Sequence, residues 1–234
     1  MPTPATGKAD VLRAVIFDMD GVLIDSEPII RRAAQLAAVP FGHTLSDELY
    51  ADLLGLPGAQ LETALLDAFG ADFPLGEYRR CFERIYREDV GSHGIRSKPG
   101  VPALLELLRA RGVPVAVATS TRSGHAQAAL AAAGLLDYLP VCITGDQVTA
   151  GKPAPDIFLR AADAIGVDAA CCIAIEDSEV GARAAVGAGM WTLMVPDLKP
   201  PSAALAALVR EVLPSMPEAA RRVQSLLKLD AQNF

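Results

Sequence analysis

Short apolar runs recur along this chain, and the first three end on an acid, a hydroxyl and a glycine in turn. The first is Arg13 to Asp18 (Arg-Ala-Val-Ile-Phe-Asp), closed soon after by Gly21. Others stand at Val113 to Thr119, Val141 to Gly145 and Cys171 to Ile175, with a weaker one at Thr192 to Val195. Runs this short, without polar alternation, read as strands covered on both faces. Between them Val101 to Ala110, His125 to Ala133, Pro155 to Ile165 and Glu179 to Ala188 carry apolar residues at helical spacing, and Gly112, Gly134, Gly166 and Gly189 close the connections. Ser178 and Pro155 stand where helices start. Such alternation specifies an α/β fold, a Rossmann-like doubly wound parallel sheet with helices on both faces.

The alternation breaks between about Asp25 and Ser97, where no buried strand is evident and four helical patterns follow one another: Ser26 to Ala38, Ser46 to Leu54, Ala59 to Phe69 and Leu75 to Asp89. Dividing 234 residues by roughly 150 per domain gives about 1.6. The chain therefore reads as a core domain, 1–24 and 97–234, interrupted by a helical cap domain, 25–96. Asp25 and Ser26 would shape the way into the cap, and Lys98, Pro99 and Gly100 the return. The Ala/Leu-rich tail from Ser202 to Leu229 reads as helix closing the core, and Trp191 as a core residue.

With 28 acidic against 21 basic residues the net charge is −7. That balance disfavours nucleic acid and anionic membranes as partners, while a local cluster of donors can still take a small anion. Met1 to Asp10 contains no apolar signal segment, and no apolar run approaches the ~20 residues of a bilayer span. Cys81, Cys142, Cys171 and Cys172 lack metal-binding spacing. A cytoplasmic protein with free thiols is expected, monomeric, with a dimer as the alternative.

In an open parallel sheet, ligands bind at the carboxyl ends of the strands. Asp18, Met19 and Asp20 follow the first strand, Thr119 and Ser120 the second, Gly151 and Lys152 the third, Glu176 and Asp177 the fourth. Asp18 and Asp20, two apart in extended chain, can turn the same way, and neighbouring carboxylates repel unless a cation joins them. Asp18, Asp20 and Asp177 offer oxygen only, the hard donor set of Mg2+, with no His or Cys nearby to suggest zinc. Lys152 and Thr119 supply a positive charge and a hydroxyl suited to phosphoryl oxygens.

Asp18-Met19-Asp20-Gly21-Val22-Leu23, Thr119, Lys152-Pro153 and Glu176-Asp177, in that order, resemble the four motifs of the haloacid dehalogenase-like superfamily. The phrases Ile16 to Pro28, Gly151 to Phe158 and Ile175 to Gly181 are similar to its subgroup with a helical cap after the first motif. The resemblance covers about residues 11 to 200. It implies a Mg2+-dependent phosphatase of a small phosphomonoester, a sugar phosphate above all, because Asp25-Ser26-Glu27-Pro28 is similar to hexose phosphate phosphatases. Asp18 would be the nucleophile and Asp20 the general acid and base. Asp18, the Asp20 backbone carbonyl and Asp177, supported by Glu176, would hold the metal. Thr119 and Lys152 would bind the phosphate with the amides of Met19 and Ser120, and Arg122 would contact a second anionic group or simply start its helix.

A β-phosphoglucomutase shares the cap type, yet Ile30 stands where those enzymes carry a cap histidine and Gly58 where they carry a cap-loop arginine. A 2-haloacid dehalogenase lacks the second acid and needs no metal, which Asp20 and Asp177 oppose. A non-catalytic protein of this fold would be expected to have lost one of these groups, and none is missing. In the cap, Glu27, Arg31, His43, Arg79, Arg80, Arg84, His93 and Arg96 read as solvated surface.

Overall fold

In the computed structural model, which describes residues 11–228 apart from 55 and 57, strand β1 (Ala14–Phe17) lies inside a six-stranded parallel sheet. Its companions are β4 (Val115–Thr119), β5 (Cys142–Thr144), β6 (Cys172–Glu176), β7 (Trp191–Met194) and β8 (Glu211–Val212), in the order β5-β4-β1-β6-β7-β8. The chain moves outward from β1 through β4 to β5, then returns to β6 on the other side of β1. The order therefore reverses at β1, with β4 and β6 as its two neighbours.

Side chains of β1 alternate between faces, as the two-residue period of a strand requires. Val15 and Phe17 join the core cluster formed with α5 (Val101–Ala110), α6 (Ser123–Ala132) and α10 (Met216–Leu226). Ala14 and Ile16 join the cluster formed with α7 (Asp156–Ala164) and α8 (Glu179–Gly187). Leu104, Leu105 and Leu108 of α5 are buried at one-turn spacing on one side, and Ile157, Phe158 and Ala161 of α7 on the other. This is the doubly wound α/β sheet that the alternating runs imply.

Helices α1 (Glu27–Ala38), α2 (Asp47–Leu53), α3 (Gly58–Phe69) and α4 (Leu75–His93) form the insert. They pack around their own cluster, including Ala37, Leu65, Phe73 and Tyr78. The insert leaves and rejoins the core through an antiparallel ribbon of β2 (Ile24–Asp25) and β3 (Arg96–Ser97), in which Ile24 pairs with Ser97 and Asp25 with Arg96. No strand is expected there from the sequence. Two residues make no apolar run, and the ribbon exists because the ends of the insert are brought side by side. α4 also continues past Asp89 to His93 before Gly94 ends it.

The tail differs from the continuous helix expected from Ser202. A single turn, α9 (Ala203–Ala206), gives way to β8, whose Glu211 and Val212 pair with Leu193 and Met194, and α10 follows. Pairing with the open edge of β7 overrides the helical composition here. Leu229, the expected end of the tail, lies outside the described residues. Trp191 is only half-buried; its ring packs under the Arg210 guanidinium at 4.9 Å, and its Nε1 is buried without a hydrogen-bond partner. The four thiols are free; Cys142 and Cys172 lie on strands, whereas Cys171 sits in the short turn before β6. Among the described residues no helix is long and apolar enough to cross a membrane.

Candidate active site

Asp18, Lys152, Glu176 and Asp177 meet at the carboxyl ends of β1 and β6, where the strand order reverses. Asp18 directly follows β1, and its backbone N–H donates to the Ile175 carbonyl at 2.9 Å, so the sheet itself fixes its position. Lys152 Nζ donates to Asp18 Oδ1 at 2.5 Å and to Glu176 Oε1 at 2.6 Å, with only 4% of the lysine side chain exposed. Phe158 of α7 places its ring 5.1 Å from the same ammonium. The second Glu176 oxygen accepts from the N–H of Asp177, the N–H of Ser178 and the Ser178 hydroxyl, each at 3.0 Å. Ser178 in turn caps α8 by accepting from the Gly181 N–H at 3.1 Å.

Carboxylate oxygens of Asp18, Glu176 and Asp177 lie within 4.8 Å of one another. Burial pushes the Asp18 carboxyl up to about 7; Lys152 opposes this, while Glu176 and Asp20 add to it. Burial likewise raises the Asp177 carboxyl well above its ordinary value, with repulsion from Glu176 and Asp18 acting in the same direction. Burial works against the charge on Lys152, but Asp18 and Glu176 outweigh it and raise its pKa. Three buried carboxyl groups face a single lysine, so a further cation would favour their charged forms. Oxygen donors in that arrangement fit a hard divalent cation.

Two glycines make room for this cluster. Gly21 has φ +82°, and a Cβ there would stand 2.7 Å from Asp177 Cγ and nearer still to its Oδ2. At Gly181, on the first turn of α8, a Cβ would overlap the Glu176 carboxylate.

Asp20 lies apart from the three clustered carboxylates. Its two oxygens accept from the Ser26 hydroxyl at 2.6 Å and the Thr121 hydroxyl at 2.8 Å. Ser26 stands at the N-terminus of α1 yet makes no side-chain cap, because its hydroxyl is turned to Asp20. Neither partner is evident from the motifs, since one lies beyond the β1 turn and the other belongs to a different strand end. Thr119 is buried, and its Oγ1 accepts the Thr121 N–H at 3.0 Å, which leaves the hydroxyl proton as a donor. Met19 has a fully buried side chain, so only its main chain can serve the site, and Ser120 and Arg122 are exposed beside it.

A cavity of about 540 Å³ runs from Asp20, Ser120, Thr121 and Arg122 into the helical insert. Glu27 and Arg79, read from the sequence as surface, line it; Glu27 is pushed up by burial against the opposing hydrogen bond of Tyr50. Arg31, Arg80 and Arg84 do lie in exposed ion pairs with Asp47, Glu77 and Glu88, and His43 stacks on Phe69 at 4.6 Å. Lys98, whose backbone N–H donates to Leu23, bridges Asp25 at 3.3 Å and Asp197 at 2.6 Å, which ties the ribbon to the loop after β7.

A doubly wound core with a buried acid and lysine cluster at its switch point, opening into a cavity under a helical insert, defines a hydrolase built on a Rossmann-like sheet. Residues 12–189 match the haloacid dehalogenase-like hydrolase family, and the chain belongs to it. It is 33% identical over 181 residues, 76% of this chain and 82% of the relative, to a phosphorylated carbohydrates phosphatase of Thermotoga maritima. It is also 33% identical over 177 residues, 75% of this chain and 92% of the relative, to the fructose-1-phosphate phosphatase of Escherichia coli. The structure of CbbY from Rhodobacter sphaeroides in complex with phosphate superposes with a TM-score of 0.78 at 27% identity, covering 88% of this chain and 96% of that one.

Proposed function

We propose that the protein is a Mg2+-dependent phosphatase of small phosphomonoesters that works through an aspartyl-phosphate, with sugar phosphates as the substrate class suggested by its relatives. The observation that carries this reading is Lys152 held between Asp18 and Glu176 with Asp177 beside them. Asp18, Asp177 and the Asp20 backbone carbonyl would hold the cation, with Glu176 as support. When bound, the cation would offset charge on the nucleophile and on the phosphoryl oxygens.

In the first half-reaction an Asp18 oxygen attacks phosphorus and the bond to the leaving oxygen breaks, while Asp20 donates a proton to that oxygen. In the second, Asp20 takes a proton from water, the water oxygen attacks phosphorus and the bond to Asp18 breaks. Lys152 and Thr119 hold the phosphoryl oxygens throughout, with the Met19 and Ser120 amides. Ser26 and Thr121 orient the Asp20 carboxylate toward the leaving oxygen. Residues 25–96 act as the cap that excludes water from this chemistry, and 1–24 with 97–234 as the core.

The mutase alternative requires a second phosphate to be held in the cavity. Ile30 and Gly58 both line it without charge, and Arg79 is already paired with Glu62, which favours water as the acceptor. The cluster of acids equally disfavours the metal-free dehalogenase. Asp18→Asn is expected to abolish phosphate release from a panel of hexose phosphates, phosphoglycolate and nucleoside monophosphates while the melting curve is retained, and EDTA to abolish it in the wild type. Activity that survives either treatment refutes the mechanism.

A further inference from the structure

The cavity above Asp20 changes character along its length. Near the core it meets Asp20, Ser120, Thr121 and Arg122, whereas the insert contributes a mainly apolar lining, Ile30, Leu53, Leu61, Leu65, Tyr78 and Phe82 among it, with Tyr50 and Glu83 as polar exceptions. The Tyr78 hydroxyl is directed to the Ala34 carbonyl at 3.3 Å, so this residue offers the cavity its ring and no unused donor. Glu62 and Arg79, which also line the cavity, neutralise one another in a pair that is half-exposed. At about 540 Å³ the space matches the ~300–1,000 Å³ of pockets that enclose drug-sized ligands.

We infer that the preferred substrate is a phosphomonoester whose leaving group is polar only near the phosphate and carries an apolar, planar ring beyond it. This rests on the phosphatase reading of the same site. The cavity is continuous with Asp20, the group assigned to protonate the leaving oxygen, so the moiety attached to that oxygen is what occupies the insert. A sugar fits the mouth, where Glu27, Thr121 and Arg122 supply partners. Against the aliphatic stretch of Ile30, Leu53, Leu61 and Leu65, hydroxyls would be stripped of water and left without hydrogen bonds, which is costly, whereas a ring gains by removing apolar surface from water and by edge or offset contact with Tyr78 and Phe82.

The test compares ribose 5-phosphate with the same sugar phosphate bearing a phenyl group on C1, and with its butyl counterpart, on the full chain with Mg2+. All three lose the same primary alcohol oxygen, so differences report the insert and not the chemistry. The phenyl compound is expected to have a kcat/KM at least tenfold higher than ribose 5-phosphate, about 1.4 kcal/mol, mostly through a lower KM. Leu65→Asn is expected to reduce that ratio at least threefold. Competitive inhibition of the wild type by the unphosphorylated phenyl riboside, stronger than by ribose, gives the same answer should the variant fail to fold. Equal or better turnover of ribose 5-phosphate overturns the inference and leaves the phosphatase reading intact, and so does an equal gain with butyl as regards the ring. Hydrolysis of none of the three, nor of any ester in the wider panel, overturns the phosphatase reading itself.

Discussion

Replacing Gly21 with alanine adds one methyl group at a crowded point beside the acid cluster. Two separate costs follow. The backbone at φ +82° is left-handed, and a residue with a Cβ loses about 1–2 kcal/mol there. The new Cβ would also stand 2.7 Å from Asp177 Cγ, where ordinary contact begins at 3.4 Å, so the carboxylate has to move by at least the 0.7 Å difference. Gly112 separates the two effects. It has φ +62° in the turn before β4, and a Cβ there meets nothing within 4 Å. Gly112→Ala is therefore expected to lower the melting temperature by about 2–8 °C, at 2–4 °C per kcal/mol for a chain of this size, and to leave the kinetics unchanged. Gly21→Ala is expected to show at least that loss and, in addition, a roughly 10- to 100-fold rise in the Mg2+ concentration giving half-maximal phosphate release, the usual cost of disturbing a ligand's support. The assay is a Mg2+ titration of initial rates with each variant. If both glycine variants titrate like the wild type, Asp177 does not hold the cation from the position it occupies here.

Thr121→Val keeps the shape of the side chain but removes a donor to Asp20 2.8 Å away. At about 0.5–3 kcal/mol for a hydrogen bond, kcat should fall by about 2- to 150-fold with little change in KM, and a drop in KM alone would contradict the assigned role. Lys98→Met leaves Asp25 and Asp197 without their shared cation at a site where the lysine is 14% exposed, and a loss of about 1–3 kcal/mol in urea unfolding is expected. Asp146, held down to about 2 by the Thr144 hydroxyl and then by the N–H and hydroxyl of Ser123, stabilises the folded chain above its ordinary pKa of 3.8. That contribution is lost as pH falls from 3.8 toward about 2, so the melting-temperature gap between wild type and Asp146→Asn should narrow over that window, and a constant gap would refute it.

The sheet was legible because strands covered on both faces leave uninterrupted apolar runs, as in Ala14–Phe17 and Cys172–Glu176. β8 was not, because its pairing comes from the exposed edge of β7 and requires nothing of Glu211 and Val212 beyond extended backbone. The principal acids and Thr119 stand at or just after strand ends, whereas Lys152 comes eight residues after β5, in the loop before α7. Ser26 and Thr121 could not be placed from the sequence, because they reach Asp20 across the fold through hydroxyls that, in sequence, are ordinary residues at the starts of helices. The apolar depth of the cavity was hidden for a related reason. Ile30, Leu65 and Phe82 look like the core face of amphipathic helices, and only their arrangement leaves a space between them.

The central place of β1 also has a consequence for the order of events during synthesis. Among the described strands it is the first to be made, yet Val15 pairs with Val115, one hundred residues later, and with Ile173, which comes later still. At roughly 5–20 residues per second, β1 waits on the order of 5–20 s for its first neighbour. During that time α1 to α4 emerge complete and can assemble from contacts that are close in sequence, which form quickly. The helical insert is thus ready before the site has a second wall. The strand that leads into Asp18 spends the interval with both edges unpaired, the state in which a nascent chain most depends on being shielded from its neighbours.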